Sequence, residues 1–236
     1  MPYTYDSFKA AMALHMIVDA TDPDFVAVLP QIIEGAEQRI YRELDPIWCR
    51  KTWASTFGSS GTPEDNATLA PPTDLLEVRE FRFYPLGAGT TKRQALEHRA
   101  DTFVREYWPD PAVTGTPKYY ALTGADPGPL TIQVAPTPST AAPVEIVGTF
   151  RPAALSATNT TTNLATLYPD LMLYAALVFA AGYQRNFGAQ SDDPRQAMSW
   201  EQQYQGALAS AKAEEARRKG GAWVDRASPS AAIPTA

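Results

Sequence analysis

The feature that most limits what this chain can fold into is the run Leu171–Tyr183, inside LYPDLMLYAALVFAAGYQRN, where every residue is apolar or small. Gln184, Arg185 and Asn186 end it. At ~1.5 Å per helical residue such a run reaches only about 20 Å, short of the ~30 Å of a bilayer's hydrocarbon core. A membrane span is therefore not expected. A helix that is apolar on every side belongs in the middle of a protein core. Ala175, Ala176, Ala180, Ala181 and Gly182 leave room for other helices to approach closely.

The elements that could cover this helix lie at both ends of the chain. In TDPDFVAVLPQIIEGAEQRIYREL, Asp22 suits an N-cap, Pro23 the first helical position and Asp24 the positive helix end. Phe25, Val28, Leu29, Ile32, Ala36 and Ile40 follow helical spacing to about Leu44. Pro30 inside that pattern either kinks the helix or marks its true start. A second start stands at Pro169. A third stands at Asp193–Pro194, with an apolar face of Ala197, Trp200, Tyr204, Ala207, Leu208 and Ala211, and Gly220–Gly221 expected to stop it. A weaker helix is expected around Phe8, Met12 and Ile17.

The middle reads differently. IWCRKTWASTF, LLEVREFRFY, KYYALTG, LTIQVAP and VEIVGTF are short, rich in β-branched and aromatic residues, and bounded by Pro or Gly. Residues 97–108 suit a short helix ending at Trp108–Pro109. The expected fold is α+β: mainly an α-helical bundle of N- and C-terminal helices, with a β-rich middle insertion and an extended C-terminal tail. The corresponding divisions are residues 1–47, 48–152, 153–220 and 221–236.

Chemistry is harder to find. His15 and His98 have no partners at metal-ligand spacing, and His15 reads as packing at a core edge. The single cysteine, Cys49, excludes an internal disulfide and reads as a small buried hydrophobe in a strand. GAGT at 87–90 lacks the Lys and Ser/Thr of a phosphate-binding loop, and SSGTPEDNAT has no phosphate-binding pattern either. Carboxylates are plentiful, but nothing singles out a pair. No catalytic, cofactor or metal site is expected. A net charge of −6 argues against a protein that coats nucleic acid, and the N-terminus lacks the pattern of a secretory signal. Trp223, in AWVDRASPSAAIPTA beyond the glycine pair, reads either as a residue that docks on a partner or as one that folds loosely back onto its own bundle.

Taken in order, FVAVLPQIIEGAEQRIYREL, LAPPTDLLEVREFRF, GTPKYYALTG, LTIQVAPTP, VEIVGTFRPAALS, YPDLMLYAALVFAAGY and WEQQYQGAL resemble the head-to-tail adaptor proteins of short-tailed phages and related prophages. The resemblance runs over roughly residues 22–220; PLGAGTTKRQALEHRADTF has no counterpart in it. It implies a structural virion protein assembled in the host cytoplasm, docked beneath the portal protein as a ring of about twelve copies around a DNA channel. Genomic DNA would pass without sequence recognition, and a tail or nozzle protein would attach below. The resemblance makes residues 216–236 an arm along the portal, with Arg217, Arg218, Lys219 and Trp223 as contacts. Another neck or tail-completion protein, and a peptidoglycan-degrading virion enzyme, stay open as alternatives.

Overall fold

The structure is a computed structural model that describes residues 2–57, 67–84, 93–124, 130–139, 141–183 and 194–224, with the backbone alone for 182–183, 194–197 and 221–224. The glycine-rich GAGT loop, most of SSGTPEDNAT and the tail beyond residue 224 lie outside the described residues. The chain divides into a helical unit, residues 1–48 with 152–236, and a strand-rich unit, residues 49–151.

In the helical unit, α1 (Tyr5–Met16) starts from a reciprocal cap: Thr4 Oγ1 accepts from the Ser7 N–H, and the Thr4 N–H donates to Ser7 Oγ at 2.8 Å. α2 (Pro23–Glu43) is capped by Asp22, whose carboxylate accepts from the Asp24 and Phe25 N–H groups. Pro30 sits exposed inside α2, which runs on past it, so neither a separate turn nor a late start is needed. After the strand-rich unit come the short α4 (Asn163–Leu167), α5 (Pro169–Tyr183) and α6 (Pro194–Val224). The helix α3 (Asp101–Tyr107) belongs to the other unit. Leu171, Met172, Ala175, Ala176 and Ala180 of α5 are all buried against Phe8, Met12, Ile33, Ile40 and Tyr204 in one apolar core. Close approach is visible at Gly35 of α2, where a Cβ would stand 3.3 Å from the Phe179 ring. The opening run is thus the spine of this unit.

Among the described residues the strand-rich unit holds two four-stranded sheets. The first has the order β1 (Arg50–Phe57), β10 (Ala142–Phe150), β3 (Leu75–Phe83), β4 (Gln94–Ala95), antiparallel throughout. The second has the order β2 (Thr68–Leu69), β8 (Leu130–Ala135), β7 (Tyr119–Gly124), β5 (Glu97–His98), with β5 and β7 parallel. A two-stranded parallel pair, β6 (Thr114–Gly115) and β9 (Thr137–Pro138), completes the set. β10 alternates buried and half-buried residues along its whole length, so Val144, Ile146 and Phe150 point to one core. There they meet Phe57, Phe81, Tyr120, Ile132 and Val134, with Phe81 edge-on to Tyr120 at 5.3 Å. α3 (Asp101–Tyr107) covers the other side of β7 and β8 through Val104, Ala121 and Ala135. At Gly148 the register against β3 shifts; a Cβ there would sit 2.5 Å from the Glu77 carbonyl oxygen, so the bulge requires glycine.

Three expectations need correction. The chain is not mainly a helical bundle: it is α+β, and its strand-rich middle has a core of its own. Well-capped long helices announce themselves in a sequence, whereas short strands broken by prolines look like connecting loops. Gly220–Gly221 does not stop the last helix, which continues to Val224; helical hydrogen bonds tolerate glycine at a cost of about 1 kcal/mol each. Cys49 is buried as expected, but it closes a 3-10 turn (Ile47–Cys49) rather than lying in a strand.

Candidate functional site

The four residues singled out from the sequence lie on the last turns of α6. Arg217 is exposed. Arg218 donates to Glu214 Oε1 at 2.6 Å and Glu215 Oε1 at 3.1 Å, and its guanidinium lies 5.9 Å from the Tyr168 ring centre. Lys219 Nζ reaches Asp45 Oδ2 at 2.7 Å. Two of the three cations are therefore engaged within their own unit, and the side chain of Trp223 lies outside the described residues.

What organises this end of the unit is a residue that sequence reading passed over, Glu215. It is 2 % exposed, yet it accepts from three donors: the Ile47 N–H at 3.1 Å, the Tyr168 hydroxyl at 3.0 Å and Arg218. One carboxylate thus joins the segment that follows α2, the residue before α5 and the end of α6, all within the helical unit. Burial, the Glu215 bond and its negative charge together push the Tyr168 hydroxyl up to about 12. A signal was available: Tyr204, Leu208, Ala211 and Glu215 continue one buried helix face at four- and three-residue steps.

A second clamp ties α2 to α6. Arg39 makes a two-pronged contact with Glu201, at 2.8 and 2.6 Å, and also donates to Glu43 at 2.9 Å. Its guanidinium stacks 4.2 Å above the ring of the fully buried Tyr204, whose hydroxyl donates to Glu43. The Arg39 bond holds Glu201 below the usual carboxylate range, and burial raises the Tyr204 hydroxyl. Glu37, 2 % exposed on α2, accepts one bond from the Leu155 N–H at 3.2 Å. Burial pushes it up to about 7, against the opposing pull of that bond. These carboxylates work in packing and helix registry. Among the described residues no group of three or more His, Cys, Asp or Glu could hold a metal, and no helix is long and apolar enough to cross a membrane.

The surface shows contact chemistry instead. Leu14 is 78 % and Ile17 92 % exposed at the corner between α1 and α2. On the strand-rich unit Phe103 and Tyr107 stack at 5.5 Å, both partly exposed and both edge-on to Tyr119, with the Arg99 guanidinium over the rings of Phe103 and Tyr119. Exposed aliphatic and aromatic side chains of this kind are the chemistry of the class of proteins that work by contact with others.

Comparison with protein families makes that class specific. The family described as SU10 adaptor protein matches residues 3–229, and the chain belongs to it. It is a phage adaptor: a structural virion component that interacts with other head or tail proteins, as the resemblance in the sequence implied. A comparison with curated proteins found no match.

Proposed function

We propose that this chain is the head-to-tail adaptor that docks on the portal ring, extends the DNA channel and provides the attachment site for the next tail component. The observation that carries this reading is the adaptor match across residues 3–229, which takes in both units. About twelve copies would form the ring, since a heterologous contact that closes generates one. Arg217 and Trp223, at the end of α6, supply contacts to the portal. Arg218 and Lys219 hold that end in place through Glu214, Glu215 and Asp45. The strand-rich unit faces the next tail component. A chain of net charge −6 suits a channel wall that DNA passes without adhering. Assembly takes place in the host cytoplasm, and the role needs no cofactor, metal or catalysis.

The test is complementation. Particles made without this chain should package DNA but carry no tails, and added purified protein should restore tail attachment and infectivity. Tailed particles formed in its absence would refute the proposal.

A further inference from the structure

Ile17 holds a conformation that its side chain opposes. It caps the end of α1 with φ 57° and ψ 44°, the left-handed region, where its N–H meets the carbonyls of Ala13 and Leu14. Glycine is the usual occupant of this position, because a Cβ makes the conformation costly and β-branching makes it more so. The Ile17 side chain recovers nothing from its own fold, being 92 % exposed. Leu14, one turn earlier, is 78 % exposed. Beside this pair, flanked by Met16 and Val18, a hollow of about 30 Å³ is floored by Phe25, Val28 and Ile32. The corner is acidic. Asp22 and Asp24 line the hollow, and Asp19, held below the usual carboxylate range by the Thr21 N–H and hydroxyl, lies two residues after Ile17 in the same turn. Each aspartate has a local turn or capping role, but together they give the apolar knob a negative rim.

Resting on the adaptor reading, we propose that the α1–α2 corner is a docking knob for the portal protein: Ile17 and Leu14 enter an apolar seat whose rim carries Lys or Arg. Charge complementarity to Asp19, Asp22 and Asp24 sets the partner's chemistry, and the sparse burial of Ile17 within its own unit explains why a strained isoleucine occupies a glycine position.

The knob predicts an unusual separation of stability from binding. Ile17→Gly should melt at the same temperature as the native chain or higher, because glycine suits the cap. Its affinity for the cognate portal ring should fall roughly tenfold or more, the worth of one buried isoleucine. Asp24→Asn should weaken binding about threefold and flatten its dependence on salt. Melting and portal titration of native, Ile17→Gly and Asp24→Asn proteins provide the readouts. Portal affinity unchanged in Ile17→Gly overturns the proposal, and so does a lowered melting temperature, which would make Ile17 a structural residue. Reduced self-association with intact portal binding also overturns it, in favour of a contact between copies. Native protein that fails to bind portal at all overturns the adaptor reading itself.

Discussion

The two units keep their charges in opposite places. The helical unit buries Glu37 and Glu215 among its apolar side chains and seals the hydroxyls of Tyr168 and Tyr204 against carboxylates. The strand-rich unit keeps an apolar core, and its pairs Arg79–Glu77, Arg82–Glu80 and Arg99–Glu97 are at least partly exposed. Exposed pairs contribute about 0–1 kcal/mol each, whereas leaving a buried charge without its partners costs several. One unit is therefore held by shape and register, the other by shape plus a few polar clamps. The clamps sit where α2 and α6 must keep a fixed relation.

The comparison breaks most visibly at Phe81, whose ring contacts both Phe57 and Tyr120 in the strand core. Phe81→Ala should cost the strand-rich unit about 3–5 kcal/mol in urea unfolding. It should leave the melting of the helical unit unchanged if the two cores are independent. Glu215→Ala is its counterpart in the helical unit. It strands the Ile47 N–H and the Tyr168 hydroxyl and leaves Arg218 with Glu214 alone, for a loss of about 3–4 kcal/mol. Glu215→Gln should recover part of that loss, since an amide oxygen still accepts.

Glu37 sharpens the contrast through pH. Its folded value near 7 lies above the ordinary 4.5, so the folded state binds this proton more tightly than the unfolded state. The resulting stability is fully present below about pH 4.5 and is lost as pH rises through 7, by about 3 kcal/mol in all. Glu37→Gln should remove that slope from a series of unfolding curves between pH 5 and pH 8. A smaller effect is expected at Gly148. Alanine there presses on the Glu77 carbonyl, costing about 2 kcal/mol and loosening only the β10–β3 pairing, as amide exchange would register.

Much of the helical unit was legible, because Asp22–Pro23, Pro169 and Pro194 announce their starts locally. β10 was legible too, as the β-branched run VEIVGTF. The pairing was not: β10 joins β1 and β3, far away in the chain, and β5 is two residues long and runs parallel to β7. Such contacts depend on closing long loops and leave little local pattern. Glu215 and Glu37 were legible in principle, as carboxylates on buried helix faces, but no spacing rule identifies their donors. The left-handed Ile17 contradicts its own local preference, and a sequence cannot display that.

The central claim is that this adaptor joins a portal ring, and light scattering of the purified chain with and without its cognate portal tests it most directly. The account predicts a mass increase on the portal that corresponds to about twelve copies, with both units folded before and after. A portal peak of unchanged mass, at protein concentrations well above those in an infected cell, would contradict it.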